Sequence, residues 1–141
     1  MKKCLTVVLL ICLMFTLTCG KSMADTDTVN IDVDLTELNS MIIYAQLFNM
    51  VMNASDYLGK TVKMRGTYSA SPSAQENQYS HFIVIDDETE CCSQGLEFTW
   101  NGEHNYPEEK AIIEIVGVFS SNTINNRAYY YLAVDELDIV K

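Results

Sequence analysis

Basic residues are scarce in this sequence. Its 141 residues include nine lysines and arginines against nineteen aspartates and glutamates, which gives a net charge of −10. An acidic surface repels phosphate backbones, so the composition argues against nucleic acid as a partner. The same field attracts divalent and organic cations, and it helps to keep a chain in solution.

A disulfide framework is also missing. Three of the five cysteines, Cys4, Cys12 and Cys19, lie close to the N-terminus, and the other two, Cys91 and Cys92, are adjacent. Disulfide-stapled domains have several spaced cysteines, so this fold has to be held by a hydrophobic core. The sequence also lacks a glycine-rich phosphate loop, a serine nucleophile elbow and a histidine-rich metal motif, which argues against a standard hydrolase or transferase.

The apolar run near the N-terminus is too short for a permanent membrane span. It covers residues 5–17, fewer than the roughly 20 that a spanning helix needs. Lys2 and Lys3 precede it and small, polar residues follow at 18–24, which is the order of a secretory signal peptide. We therefore expect residues 1–24 to be a signal peptide and the remainder to be extracytoplasmic, with no transmembrane segment after cleavage.

Two processing sites compete in this leader. Ser22 and Ala24 put small residues at the third and first positions before a cut after Ala24. Cys19 is the alternative, as a lipid-anchored residue, but Thr16 and Thr18 stand where lipoprotein signals usually have a leucine and a small residue. We favour cleavage after Ala24, which removes three of the nine basic residues and none of the nineteen acidic ones. The net charge of the remaining chain is then about −13.

The chain beyond the leader is expected to begin with a tether and a helix. Residues 25–34 are acidic and have little to bury, which predicts a mobile tether. Asp34 and Glu37 resemble a capping pair, and apolar residues recur after them at helical spacing as far as Asn53. The side chains predicted to form the apolar face of this helix are Leu35, Leu38, Met41, Ile42, Ala45, Phe48, Val51 and Met52.

Beyond Gly59 the hydrophobic period falls to two, which predicts strands. Five are expected, at 60–68, 79–85, 96–100, 111–119 and 129–140, the last with a bend at Asp135; residues 69–78 and 101–109 are expected to be connections. No helix alternates with the strands, which excludes a parallel α/β sheet. We predict a mostly β fold, a five-stranded OB-like barrel with one added N-terminal helix, over residues 35–141. An open antiparallel sheet packed on the helix is the alternative.

Three motifs carry a family resemblance. They are the run 57–66, with the pattern YxGKxVxxxG, the paired cysteines within 91–98, and Tyr106-Pro107 followed by Ile-Val-Gly at 115–117. In these the chain resembles a family of exported bacterial OB-like proteins that includes uncharacterised lipoproteins and soluble partners of two-part permeases. The resemblance covers residues 41–140. It implies an OB-like fold and, as a partner, a membrane permease or another envelope protein.

One loop has the residues for metal or thiol chemistry. Four acidic residues lie just before Cys91 and Cys92 in the stretch 86–92, between two predicted strands. Thiolates bind zinc or copper, and neighbouring carboxylates add negative charge. Two adjacent cysteines rarely complete a tetrahedral site, so further ligands have to come from elsewhere. The predicted metal ligands are Cys91, Cys92, Glu90 and His81, with His104 as another nearby histidine.

Other interpretations of the same residues stay open. A disulfide between adjacent cysteines strains the peptide between them, because ordinary disulfides need about 4.4 Å between Cα atoms and a trans peptide fixes about 3.8 Å. The upstream acids raise thiol pKa values, which opposes a reactive nucleophile. In a purely structural interpretation, one cysteine is a small buried hydrophobic residue and His81 is a hydrogen-bonded strand histidine.

Lys60, Lys63 and Arg65 form a short basic strip. With Tyr68 and the tyrosines at 129–131 as stacking platforms, it would resemble a nucleic-acid face, which the overall charge opposes. We expect instead that Lys63 and Arg65 pair across the sheet with acids such as Glu97 or Glu114.

The sequence thus favours an exported, non-enzymatic binding or interaction module, an accessory to envelope transport or to divalent-cation handling. The alternative is a thiol-redox or metal-assisted enzyme that uses Cys91 and Cys92.

Overall fold

The computed structural model describes residues 29–73, 78–86, 93–101 and 105–140. Over these residues the fold is mostly β, with one α-helix and a six-stranded sheet. The elements are β1 (Val33–Asp34), α1 (Ser40–Met52), a single 3-10 turn (Ala54–Asp56), β2 (Thr61–Pro72), β3 (Tyr79–Asp86), β4 (Ser93–Trp100), β5 (Ile112–Ile124) and β6 (Arg127–Ile139). No helix in these ranges is long and apolar enough to cross a membrane.

The five long strands close into a ring. Their order is β2-β3-β4-β6-β5, and β5 pairs again with β2. All pairings in the ring are antiparallel except β4 with β6, which is parallel. The ring depends on β2, which pairs with β5 over Thr61–Thr67 and with β3 over Thr67–Pro72. The prediction of a mostly β fold with one helix is confirmed.

Gly66 lies where the pairing of β2 changes from β5 to β3. A Cβ atom at this position would stand 2.6 Å from the carbonyl oxygen of Val84, which is closer than Cβ atoms approach backbone. A residue without a side chain is therefore needed here for β3 to approach β2.

Three strands are longer than predicted by at least three residues. β4 begins at Ser93, three residues before its expected start. β2 runs on to Pro72, through residues expected to be a loop, because 67–72 pair with β3. β5 runs on to Ile124, five residues beyond its expected end, and turns into β6 through Asn125 and Asn126, both with positive φ. Asparagine tolerates this left-handed backbone, which two-residue hairpin turns require.

The predicted bend in the last strand is a bulge. β6 is continuous, but its register with β5 shifts, because Val116 faces Glu136 and Gly117 faces Val134. Asp135 is left as the extra residue between those two pairs. A bulge adds local twist, which helps the strand to curve around the ring.

The core fills the interior of the ring and is capped by α1. Its fully buried members come from every long strand, since alternate residues point inward. The largest are Phe98, Phe119, Leu35, Leu47, Met50, Met64, Ile83, Ile113, Ile115 and Leu132.

The segment predicted as a tether ends in contact with the sheet. Val33 and Asp34 form β1, parallel to Val62 and Lys63 of β2. The Thr61 amide donates to the Asp32 carboxylate at 2.8 Å, and the Asp32 amide donates back to the Thr61 carbonyl. The chain is therefore tied to the sheet from Asp32 onward, since these backbone groups are paired.

The helix begins later than predicted. Asn39 is the N-cap, and its side-chain oxygen accepts from the Ile42 amide at 3.0 Å. Asp34, the predicted cap, instead accepts from the amide and hydroxyl of Thr36 in a tight turn, which lowers the pKa of its carboxyl. Four residues after that turn, the chain enters α1.

The face of α1 that packs on the core also differs from the prediction. Ile43, Leu47 and Met50 are buried, whereas most of the predicted apolar face is in solvent. The side-chain amides of Gln46 and Asn49 both donate to the Tyr57 hydroxyl, at 3.1 and 2.7 Å. These bonds fix the rotation of the helix about its axis, with Ile43, Leu47 and Met50 turned towards the core.

We expect Asn39→Ala to destabilise the protein by about 1 kcal/mol, because one helix N–H loses its acceptor. Asn39→Ser keeps an acceptor at the cap and should retain most of the stability. Urea unfolding followed by circular dichroism measures both. Equal stability of the alanine variant and the native protein would contradict the assigned cap.

Candidate functional site

The predicted metal ligands are only partly within the described residues. Glu90, Cys91, Cys92 and His104 lie outside them, and His81 lies inside. Within 29–73, 78–86, 93–101 and 105–140, no group of three histidine, cysteine or acidic side chains could hold a metal ion. His81 is five residues before Asp86, the end of β3, or about 16 Å along the strand. The zinc or copper site stays a prediction. A site that includes both His81 and the paired cysteines has to bridge this distance.

His81 is held among aromatic rings at one end of the ring of strands. Its Nδ1 and the Tyr68 hydroxyl are joined by a hydrogen bond of 2.7 Å. Its imidazole lies flat against the Tyr106 ring, with centroids 3.6 Å apart and 6° between the planes. Burial lowers the pKa of His81, so the imidazole is uncharged at neutral pH. This is the environment of a hydrogen-bonded strand histidine.

The strand register brings these rings together. His81 on β3 pairs with Phe98 on β4, and both point to the interior with Tyr68 of β2. Trp100, two residues beyond Phe98, lies on the same face and meets Tyr106 edge-on, at 5.9 Å and 84°. Such edge-on and stacked pairs are the favoured arrangements of aromatic side chains.

The connection between β4 and β5 places Tyr106 over the cluster. The Glu109 carboxylate accepts from the Ser69 hydroxyl at 2.7 Å and from the Ala70 amide at 3.0 Å. These bonds lower the pKa of Glu109 and anchor the connection to the end of β2. Backbone bonds between Tyr68 and the residues 110 and 111 complete the attachment.

An open groove of about 260 Å³ lies beside this cluster. We call it the aromatic groove; it is lined by Gln78, Tyr79, Ser80, His81, Glu97, Phe98, Thr99, Trp100 and Tyr106. Tyr79 is 63% exposed, whereas Phe98 at the base is buried. The groove thus has aromatic walls, one of them exposed to solvent, and polar side chains along its rim.

Glu97 is the carboxylate of the aromatic groove. Burial raises its pKa, and a hydrogen bond with Ser80 partly offsets this. A partly desolvated carboxylate that accepts from a hydroxyl such as that of Ser80 keeps acceptor capacity for a ligand's hydroxyl groups.

No model of a known protein family and no curated protein sequence matches the chain.

A second concave surface, of about 330 Å³, lies on the outer face of the sheet, lined by Val29, Ile31, Lys63, Glu114, Val116, Glu136 and Asp138. The Glu114 carboxylate pairs there with Lys63 at 2.8 Å and Arg65 at 2.6 Å, which lowers the pKa of Glu114. The expected pairing of the two basic residues with Glu114 is confirmed. Glu97, the other acid considered as their partner, lies on β4, whereas Glu114 lies on β5. Both basic residues of this surface are therefore paired, and Tyr68, which was considered with them, is buried.

Sequence reasoning missed the aromatic groove. The alternation of Phe98 with Trp100 and the position of Tyr79 ahead of His81 were visible as strand patterns. That Tyr106 covers His81 depends on the path of a connection between strands, for which the sequence has no periodic signal. Tyr106 belonged to one of the resemblance motifs, which was the only indication that it has a particular role.

Proposed function

We propose that the chain is an exported, non-enzymatic binding module of the OB-like type, and that the aromatic groove is its ligand site. The observation that carries this proposal is the combination, in one open groove, of exposed aromatic surface with a partly buried carboxylate. A role beside an envelope permease, in transport, is compatible with such a module and belongs to the same hypothesis.

The strand order supports the OB-like assignment. β2, β3 and β4 are consecutive antiparallel neighbours, and β5 returns to lie beside β2, which is the Greek-key order 4-1-2-3. An OB-fold is a five-stranded, partly open Greek-key barrel that binds ligands on its second and third strands and the adjoining loops. Here these strands are β3 and β4, and the groove is lined from both, next to the β2–β3 connection.

The lining of the groove favours a sugar ring as ligand. A sugar has an apolar face that can lie on an exposed ring such as that of Tyr79, and hydroxyl groups that can donate to a polar lining side chain such as Glu97. OB-folds bind oligosaccharides as well as oligonucleotides. Oligonucleotides are opposed by the net charge of −10, because the field repels their phosphates. The volume of about 260 Å³ suits one ring of a chain rather than a large cofactor.

The groove favours binding over hydrolysis. Glycoside hydrolysis generally uses a pair of carboxylates roughly 5 to 10 Å apart. Among the described lining residues, Glu97 is the single carboxylate, and the Nδ1 of His81 is already bonded to Tyr68. The arrangement can therefore hold a sugar but does not place an acid and a base on opposite sides of it.

Trp100 makes the proposal directly testable, because it is the only tryptophan in the chain. We expect soluble β-linked oligosaccharides, with chitotriose and cellotriose as probes, to change its fluorescence in a saturable manner. Glu97→Gln should weaken binding by about tenfold or more, since a hydrogen bond to a charged group contributes roughly 1.5 to 3 kcal/mol.

The matched control is Glu108→Gln, which removes the same charge from an exposed residue that does not line the groove. It should leave the affinity unchanged. An absence of saturable change with both sugars, or an equal loss in the two variants, would contradict the proposed site.

A further inference from the structure

The solvent-facing side of α1 is apolar and is independent of the aromatic groove. Seven large apolar side chains on or next to the helix are exposed, from 37% for Leu38 to 78% for Met41. They are Leu38, Met41, Ile42, Tyr44, Phe48, Val51 and Met52. The helix has no charged residue along its 13 positions. A helix that is apolar on both sides is normally covered on both sides.

The exposed side has the spacing of a coiled-coil seam. Leu38, Met41, Ala45, Phe48 and Met52 follow one another at intervals of three, four, three and four residues. The residues packed on the core, Ile43, Leu47 and Met50, occupy the opposite side, so the two sets do not compete. One helix therefore presents one stripe to its own domain and a second stripe to solvent.

We propose that this stripe pairs with the same stripe of a second copy of the chain, as an antiparallel helix pair about a two-fold axis. An interface of this kind is self-complementary. With the axis between residues 46 and 47, the small Ala45 meets the large Phe48 of the second copy. Met41 then meets the second copy's Met52, so the four stripe positions within α1 each have an apolar partner of fitting size, whereas Leu38 precedes the helix and has none in this register.

The exposed area is sufficient for such a pair. The large side chains of the stripe, together with Ile42, Tyr44 and Val51 beside it, leave on the order of 700 Å² in solvent, close to the roughly 800 Å² per partner of a standard interface. Monomers rarely expose a contiguous apolar patch of this size.

The composition of α1 favours a second copy over a lipid surface. Helices that lie in a membrane interface usually carry lysine and arginine beside their apolar face, and α1 has neither. The same lack of charge allows two copies of the stripe to meet without like charges at the contact.

The test is analytical ultracentrifugation of the protein purified after expression of the full 141-residue chain, over a range of concentrations. We expect a dimer in the native protein and at least a tenfold weaker association in Phe48→Glu. The control is Ile124→Glu, a comparable change at a residue 52% exposed near the β5–β6 turn, which should not alter association.

A charge exchange separates the proposed geometry from a general loss of folding. Met41→Glu and Met52→Lys should each weaken the dimer, whereas the double variant should regain much of the association, because position 41 faces position 52 of the second copy. A monomer at every concentration, or a dimer that Phe48→Glu leaves intact, would overturn the proposal. So would vesicle binding by a monomer, with phosphatidylglycerol vesicles as the probe, or double-variant association no stronger than that of the single variants.

Discussion

Phe119→Ala is expected to destabilise the protein by about 3 to 5 kcal/mol, a large part of the roughly 5 to 15 kcal/mol that stabilises a domain. The Phe119 side chain has no exposed surface and stacks on Tyr130, with 5.8 Å between centroids. Its backbone is fixed on both sides, because its amide donates to Lys60 and its carbonyl accepts from Gly59, each at 2.9 Å. The surroundings can therefore collapse little into the cavity, which makes the loss large.

Thermal unfolding measures this effect, and the midpoint should fall by roughly 10 to 20 °C or more. Tyr79→Ala is the control, since it removes a ring that is 63% exposed and should change stability by about 0.5 kcal/mol or less. Similar losses in the two variants would contradict the assignment of Phe119 to the core.

Gly66→Ala is expected to cost about 3 kcal/mol, at the upper end of the usual range for overpacking. The added methyl group would stand 2.6 Å from the Val84 carbonyl oxygen and within 3 Å of the Ile83 and Ile85 side chains. Side chains can move aside, but the carbonyl belongs to the β3 backbone. The change therefore pushes β3 away from β2 where the ring bends.

Gly95→Ala is a matched control on a neighbouring strand. Its added methyl group meets its nearest atoms at 3.7 Å, which is ordinary contact. The free energy of unfolding of this variant should lie within about 0.5 kcal/mol of the native value. Urea unfolding of both variants measures the difference, and a Gly66→Ala variant as stable as Gly95→Ala would show that the two strands do not approach as described.

Strand positions were predictable because the ring has one buried and one exposed face. The alternation in 60–68 and 96–100 marked inward residues such as Met64 and Phe98 correctly. The extension of β2 to Pro72 was not predictable, since residues 69–72 are small or polar and their strand conformation depends on pairing with β3.

The orientation of α1 was not predictable for a different reason. Both sides of the helix are apolar, so hydrophobic spacing alone does not tell which side meets the sheet. Gln46 and Asn49 decide it through Tyr57, which lies beyond the helix in sequence. The apolar face predicted from the spacing, which includes Met41, Phe48 and Met52, is the side of the helix that is exposed to solvent.

The candidate site was only partly accessible from sequence. His81 was singled out, but its partners Tyr68 and Tyr106 are 13 and 25 residues away and meet it only through strand register and the path of a connection. Glu97 was considered as a cross-sheet partner for basic residues, whereas the structure places it at the rim of the aromatic groove. Contacts between distant segments have no local signal.

Binding of a sugar ring in the aromatic groove, as proposed, is tested across the whole molecule by an NMR titration of the isotope-labelled protein with chitotriose. We expect saturable shifts in the Trp100 indole and in the backbone amides of residues 78–81 and 97–100, with the β5–β6 turn unchanged. Shifts confined to other parts of the chain, or no shifts at millimolar sugar, would contradict the account.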